Sequence, residues 1–126
     1  MLPNERAFLT WFYSGATVSP EVFDDATVVE YLRTFAGREG VLGALGVYRA
    51  AFTSIEQTEP LTIAKVTVPV VAIGGVKGLG DKVREMVRLV ASSVTAETLS
   101  ESGHFVPEEA PDAVIRHVRA MAANLS

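Results

Sequence analysis

Residues 68–75, VPVVAIGG, constrain the fold of this chain more than any other stretch. The run is too short for a core helix, rich in β-branched residues, opened by proline and closed by paired glycines. Those features read as a strand buried on both faces, which is the habit of parallel sheets. A second strand is expected at VTAETLS, 94–100. Between the two, Val83, Met86, Val87 and Val90 recur at helical spacing over about 81–91. After them, Val114, Val118, Met121 and Leu125 mark a final helix over about 108–124. Strand, helix, strand at this spacing predicts a parallel βαβ unit with a right-handed crossover. A parallel pair of strands is rarely stable alone, so the chain is expected to be the end of a larger α/β protein.

Upstream of residue 65 the pattern is helical. ERAFLTWFY, 5–13, is an aromatic helix candidate ended by SGATVSP. Thr27 and Glu30, three apart, read as a capping box for a helix carrying Val28, Leu32 and Phe35, with Gly37 and Gly40 breaking it. A third helix is expected over about 40–55, with Val41, Leu45, Tyr48, Phe52 and Ile55 on one face. Gly43 and Gly46 lie off that face, and each weakens the helix by roughly 1 kcal/mol relative to alanine. They point to a close-packed or mobile element.

Composition excludes several function classes. The net charge is −4 and the isoelectric point near 5.1. The eleven basic residues are scattered, which is not a nucleic-acid footprint. There are no cysteines, which rules out disulfides, thiolate catalysis and cysteine-based zinc sites. Two histidines make a histidine-rich metal site unexpected. No 18-residue apolar run exists, so no membrane span is expected. MLPNERAF has no signal-peptide layout, and a cytoplasmic location is the resulting expectation. Hydrophobic residues reach 48% and the mean hydropathy is +0.27. Either the core is unusually complete or some apolar surface is covered by something else.

The residues that could carry chemistry gather in ESGHFVPEEAPDAV, 101–114. His104 falls between a strand and a helix, at the carboxyl end of a parallel strand, where catalytic groups cluster in open α/β sheets. Gly103 permits a sharp turn, Pro107 suits the first turn of the next helix, and Glu108 and Glu109 suit its positive end. A loop histidine without a task is the competing reading. His117, mid-helix beside Arg116 and Arg119, reads as surface. The glycines of GGVKGLG, 74–80, match neither the Walker nor the dinucleotide spacing, so phosphate cradling is discounted.

The same segment resembles the histidine region that closes α/β-hydrolase chains, a Gly-His-aromatic turn before an acidic, proline-containing helix. KVTVPVVAIGG, 65–75, is similar to the penultimate strand region of that fold, and LGVYRAAF, 45–52, resembles the cap motif of epoxide hydrolases. NERAFLTWFY and VFDDATVVEYLRTF fit the preceding cap helices, so the similarity covers nearly the whole chain. The resemblance implies a partial α/β-hydrolase fold of α/β class. Residues 1–60 would be a partial helical cap and residues 61–126 the last β-α-β-α of the core. It implies His104 as general base and Tyr48 as hydrogen-bond donor to the epoxide oxygen. Packing alone would equally explain Tyr48, which shares a face with Leu45 and Phe52. Trp11, Phe12 and Phe105 are the expected substrate-lining residues, although an aromatic core would also account for Trp11, Phe12 and Tyr13.

Two departures stand out. The orienting acid of many α/β-hydrolases follows the penultimate strand, but here those positions are Val76, Lys77 and Gly78. Asp81, the nearest acid, reads as a helix N-cap. No Gly-x-Ser-x-Gly or aspartate-bearing elbow occurs in the chain. The chain is therefore expected to be the carboxy-terminal half of an epoxide hydrolase-like protein, inactive by itself. The implied substrate is a small apolar epoxide or ester, and no cofactor or metal is required. Association with the missing amino-terminal half, or self-association, is expected, and neither nucleic acid nor membrane is. A serine esterase or lipase of the same fold, or an inactive remnant that works by binding, are the alternatives.

Overall fold

The computed structural model describes residues 4–124. They divide into two compact units. The first holds the residues up to Gly15 together with Pro20–Glu59, and the second holds Ala16–Ser19 and everything from Pro60 onward.

The first unit is helical: α1 (Glu5–Ala16), α2 (Asp25–Phe35), α3 (Gly37–Arg49) and α4 (Ala51–Thr58). Its core is small. Leu9, Val28 and Leu32 are buried, and Tyr13, Phe23, Tyr31 and Phe35 pack against them. Tyr13 stacks on Phe23 with centroids 4.4 Å apart and planes 1° from parallel. Phe8 stacks on Phe35 at 5.9 Å. Offset and stacked rings of this kind add to the burial of each side chain.

Helix starts in this unit differ from the expected ones. The cap of α2 is Asp24, whose carboxylate accepts the Thr27 N–H at 2.8 Å. There is no Thr27–Glu30 capping box. Glu30 instead pairs with Arg33 at 2.8 Å, and Asp24 stands three residues before Thr27, where the free N–H groups of the first turn begin. Gly37 ends the α2 segment as expected, with φ of +81°. Gly40 does not break anything. It lies inside α3, at a position where a Cβ would come within 2.4 Å of the Phe35 carbonyl oxygen. Ala36, at the N-cap of α3, offers no side-chain cap. Buried Glu5 supplies one, accepting the Gly37 N–H at 2.6 Å.

The single helix expected over 40–55 is two helices, joined at Ala50. Its expected apolar stripe is divided between the two helices and is not core: Tyr48 is 72% exposed, Phe52 80% and Ile55 63%. Among the described residues nothing lies within 4 Å of a Cβ placed on Gly43 or Gly46, so close packing there is not the reason for them.

The second unit contains β1 (Val70–Gly75), α5 (Lys82–Val90), β2 (Val94–Leu99), α6 (Val106–Glu109) and α7 (Pro111–Ala123). Strands β1 and β2 pair in parallel, from Val70 opposite Val94 to Gly75 opposite Leu99. The βαβ unit is as predicted, and the two strands form the whole sheet among the described residues. β1 is consequently not buried on both faces: Val70, Val71 and Ile73 are half-buried, and Ala72, Gly74 and Gly75 are buried. The final helix is interrupted at Ala110, just before Pro111, because proline disfavours helical geometry in the residue preceding it. Val118 is 60% exposed, and Leu125 lies outside the described residues.

Candidate active site

Both strands end on the same side because they are parallel, and the loops that leave them interlock through glycine. A Cβ on Gly75, the last residue of β1, would lie 1.9 Å from the Gly103 carbonyl oxygen. One on Gly103 would lie 2.3 Å from the Ala16 carbonyl oxygen, and one on Gly78 would lie 3.1 Å from the Cα of His104. In the first loop, Gly80 takes φ of +52° and its carbonyl comes within 2.3 Å of a Cβ on Gly74. Gly74 and Gly75 thus let backbone pack on backbone, which a side chain there would prevent, while Gly80 supplies a positive φ.

His104 sits on the rim this packing creates. Its side chain is exposed, and its backbone N–H donates to the Ala16 carbonyl at 2.8 Å. Phe105 meets the imidazole edge-on, with centroids 5.1 Å apart. Gly75, Leu79, Gly103, His104 and Val106 line a small cavity of about 110 Å³ beneath the turn. Among the described residues no carboxylate hydrogen-bonds the His104 ring. Asp81 occupies the N-cap position of α5 but makes no side-chain cap. It accepts the Thr98 hydroxyl at 2.8 Å, binding α5 to the end of β2, and pairs with Arg84 at 3.4 Å. Lys77, where many α/β-hydrolases carry an acid, donates its Nζ to the Thr17 carbonyl at 2.6 Å.

The other expected site residues belong to the first unit. Tyr48 is exposed on α3, Trp11 is exposed on α1, and Phe12 is half-buried, tilted against Tyr13. His117 is not surface. Its side chain is 16% exposed and Nε2 lies 2.5 Å from Glu97 Oε2 on β2, which Arg116 also contacts. Hydrogen bonds from His117 and then Arg116 hold the Glu97 carboxyl below its ordinary value. A half-buried histidine one strand-to-helix distance from a glutamate leaves no local signal in sequence, since residues 97 and 117 meet only after β2 and α7 dock. Two further features had no such signal. One is the Glu109 carboxylate bound to three backbone N–H groups. The other is Ser102, wholly buried with an unpartnered hydroxyl. The described residues contain no group of three side chains able to hold a metal ion, and no helix long and apolar enough to cross a membrane.

The class is the α/β-hydrolase fold, here in part: ALR0039, a putative α/β hydrolase from Nostoc sp. PCC 7120, superposes with a TM-score of 0.82 at 26% identity, over 94% of this chain and 42% of that one. Within that class the chain is similar to epoxide hydrolases. It is 37% identical over 112 residues to a soluble epoxide hydrolase of Corynebacterium sp. (strain C12), an alignment covering 87% of this chain and 37% of that protein. The crystal structure of Cfl2 from Burkholderia cenocepacia superposes with a TM-score of 0.83 at 39% identity, over 93% of this chain and 40% of that one. The epoxide hydrolase CorEH superposes with a TM-score of 0.82 at 33% identity, over 96% of this chain and 43% of that one. No family model matches. The chain spans about two-fifths of the length of these relatives.

Proposed function

We propose that this chain is the carboxy-terminal part of an epoxide hydrolase-like enzyme, with residues 1–60 as cap and 61–126 as core, and that it supplies the general base. The observation that carries the reading is the exposed His104 imidazole at the carboxyl ends of β1 and β2. A carboxylate nucleophile outside this chain attacks one epoxide carbon and the carbon–oxygen bond breaks. The Tyr48 hydroxyl hydrogen-bonds the departing oxygen and gives it a proton. His104 then takes a proton from water, and the resulting hydroxide attacks the carbonyl of the ester. The diol leaves, the carboxylate is regenerated, and the proton held by His104 returns through solvent to the Tyr48 phenolate, restoring both groups. A histidine suits the second step because its ordinary pKa lies close to neutral pH. Trp11 and Phe12 of the helical unit, and separately Phe105 beside His104, are the apolar side chains assigned to contact a small epoxide. The exposed stripe of α3 and α4 and the unpaired edges of the sheet support association with the nucleophile-bearing part.

The test has two arms. The purified 126-residue chain should turn over neither an aryl epoxide nor a nitrophenyl ester. Turnover there, abolished by His104→Ala, would place a nucleophile inside this chain and sink the reading. When joined to an elbow bearing Gly-x-Asp-x-Gly, the protein should open the epoxide. In that protein His104→Ala should trap the ester, seen by mass spectrometry as the enzyme plus the mass of the epoxide. Trapping of an acyl group on a serine would assign the esterase chemistry instead.

A further inference from the structure

The structure assigns Glu109 as the positioning residue of the His104 turn, a role that rests on His104 being the base. Glu109 ends the short helix α6, five residues after the histidine. One carboxylate oxygen, Oε2, accepts the N–H of Gly103 at 2.7 Å. The other, Oε1, accepts the N–H groups of Val18 and Ser19 at 2.6 and 3.2 Å. Two successive backbone N–H groups turned toward one anion form a small positive concavity, and a carboxylate is well matched to it.

What these bonds join explains the role. Gly103 immediately precedes His104, and its missing side chain leaves its backbone torsions unrestrained. The His104 N–H binds the Ala16 carbonyl, in the same short segment whose Val18 and Ser19 amides Glu109 holds. The carboxylate therefore spans the turn and the segment on which the turn rests. Lys77 grips that segment from the opposite loop through the Thr17 carbonyl, and Thr17 and Ser102 beneath are wholly buried. No element of regular sheet or long helix fixes residues 100–105. The imidazole's place on the rim follows from a clamp made of one carboxylate and the backbone. Glu109 acts through the backbone and its carboxylate makes no hydrogen bond to the ring, so it is distinct from an acid that orients the imidazole.

Glu109→Gln keeps the size of the side chain but replaces one acceptor oxygen with a donor, so it cannot hold both segments. In the 126-residue chain, amide exchange at Gly103, Val18 and Ser19 should rise at least about tenfold, the consequence of losing a charge-assisted bond in one local region. The His104 ring signals should move toward those of a free histidine, while β1 and α5 amides exchange as before. Glu109→Asp, charged but too short for the span, should behave alike. In the nucleophile-bearing protein, ester breakdown should slow about tenfold or more while ester formation stays within about twofold, because only the second step uses the base. Unchanged exchange and ring signals in either variant would overturn the assignment. So would exchange raised equally throughout β1, or loss of fold in both variants, since Glu109 would then be holding the whole unit. If His104→Ala leaves turnover intact, the base role fails while the exchange result still stands.

Discussion

Each of the two units owes its internal cohesion to a different kind of contact. In the helical unit, side chains do the work: three buried aliphatic residues and a set of stacked rings carry the core, and much of the apolar surface of α3 and α4 remains outside it. In the α/β unit, the decisive contacts are made by the lack of side chains. Gly75 and Gly78 let two loops meet backbone to backbone, Gly74 lets Gly80 close on β1, and Gly103 admits the Ala16 carbonyl, while the Glu109 carboxylate accepts and Lys77 donates the hydrogen bonds that finish the joint. A side-chain core tolerates loss of volume gradually, because neighbours relax into the space. A backbone joint does not tolerate added volume, because the atoms it would displace belong to the chain path itself.

Gly75→Ala should be the most damaging single substitution. Its methyl would meet a carbonyl oxygen that cannot rotate away, so the cost should exceed the roughly 3 kcal/mol typical of overpacking. Denaturant titration, with loss of the dispersed amide signals of residues 74–80 and 102–104, would measure it. A folded variant with wild-type signals would remove the distinction drawn here.

Leu9→Ala should be milder, about 2 kcal/mol, the lower end for a buried leucine because the cluster is small. Phe52→Ser, by contrast, should change stability by no more than about 0.5 kcal/mol despite removing a larger apolar side chain, since the ring is exposed. Urea midpoints for the two variants test the pair together. A large loss at Phe52 would show that the stripe is covered in solution.

The smallest expected effect is electrostatic. Contacts with His117 and Arg116 depress the Glu97 carboxyl, so its folded value lies below its unfolded one. Stability from this source is present above the ordinary glutamate range and is lost as pH falls through the depressed value. Thermal melts of Glu97→Gln should therefore lie below wild type near neutrality and converge with it in acid. Parallel curves across that range would show that the cluster contributes nothing to acid sensitivity.

Much of this was legible in the residues themselves. Apolar periodicity located the helices and both strands, and proline and glycine marked most of their ends. The Gly-His-aromatic turn led to the rim where His104 stands. The departures share one cause. Thr27–Glu30 satisfies the capping-box spacing, yet Asp24 was nearer the exposed N–H groups and took the role. Val41–Ile55 satisfies the helical stripe, yet periodicity says which face is apolar and not whether anything covers it.

Sequence alone determined the class of each element and the parallel βαβ order, because hydrophobic period and turn chemistry act over a few neighbouring residues. Only the tertiary structure decided which glycines were indispensable, what Asp81 binds, that His117 meets Glu97, and that Glu109 reaches back to Val18. Those partners lie 17 to 91 residues apart. Contact over such distances is set by how elements dock, which no local pattern encodes.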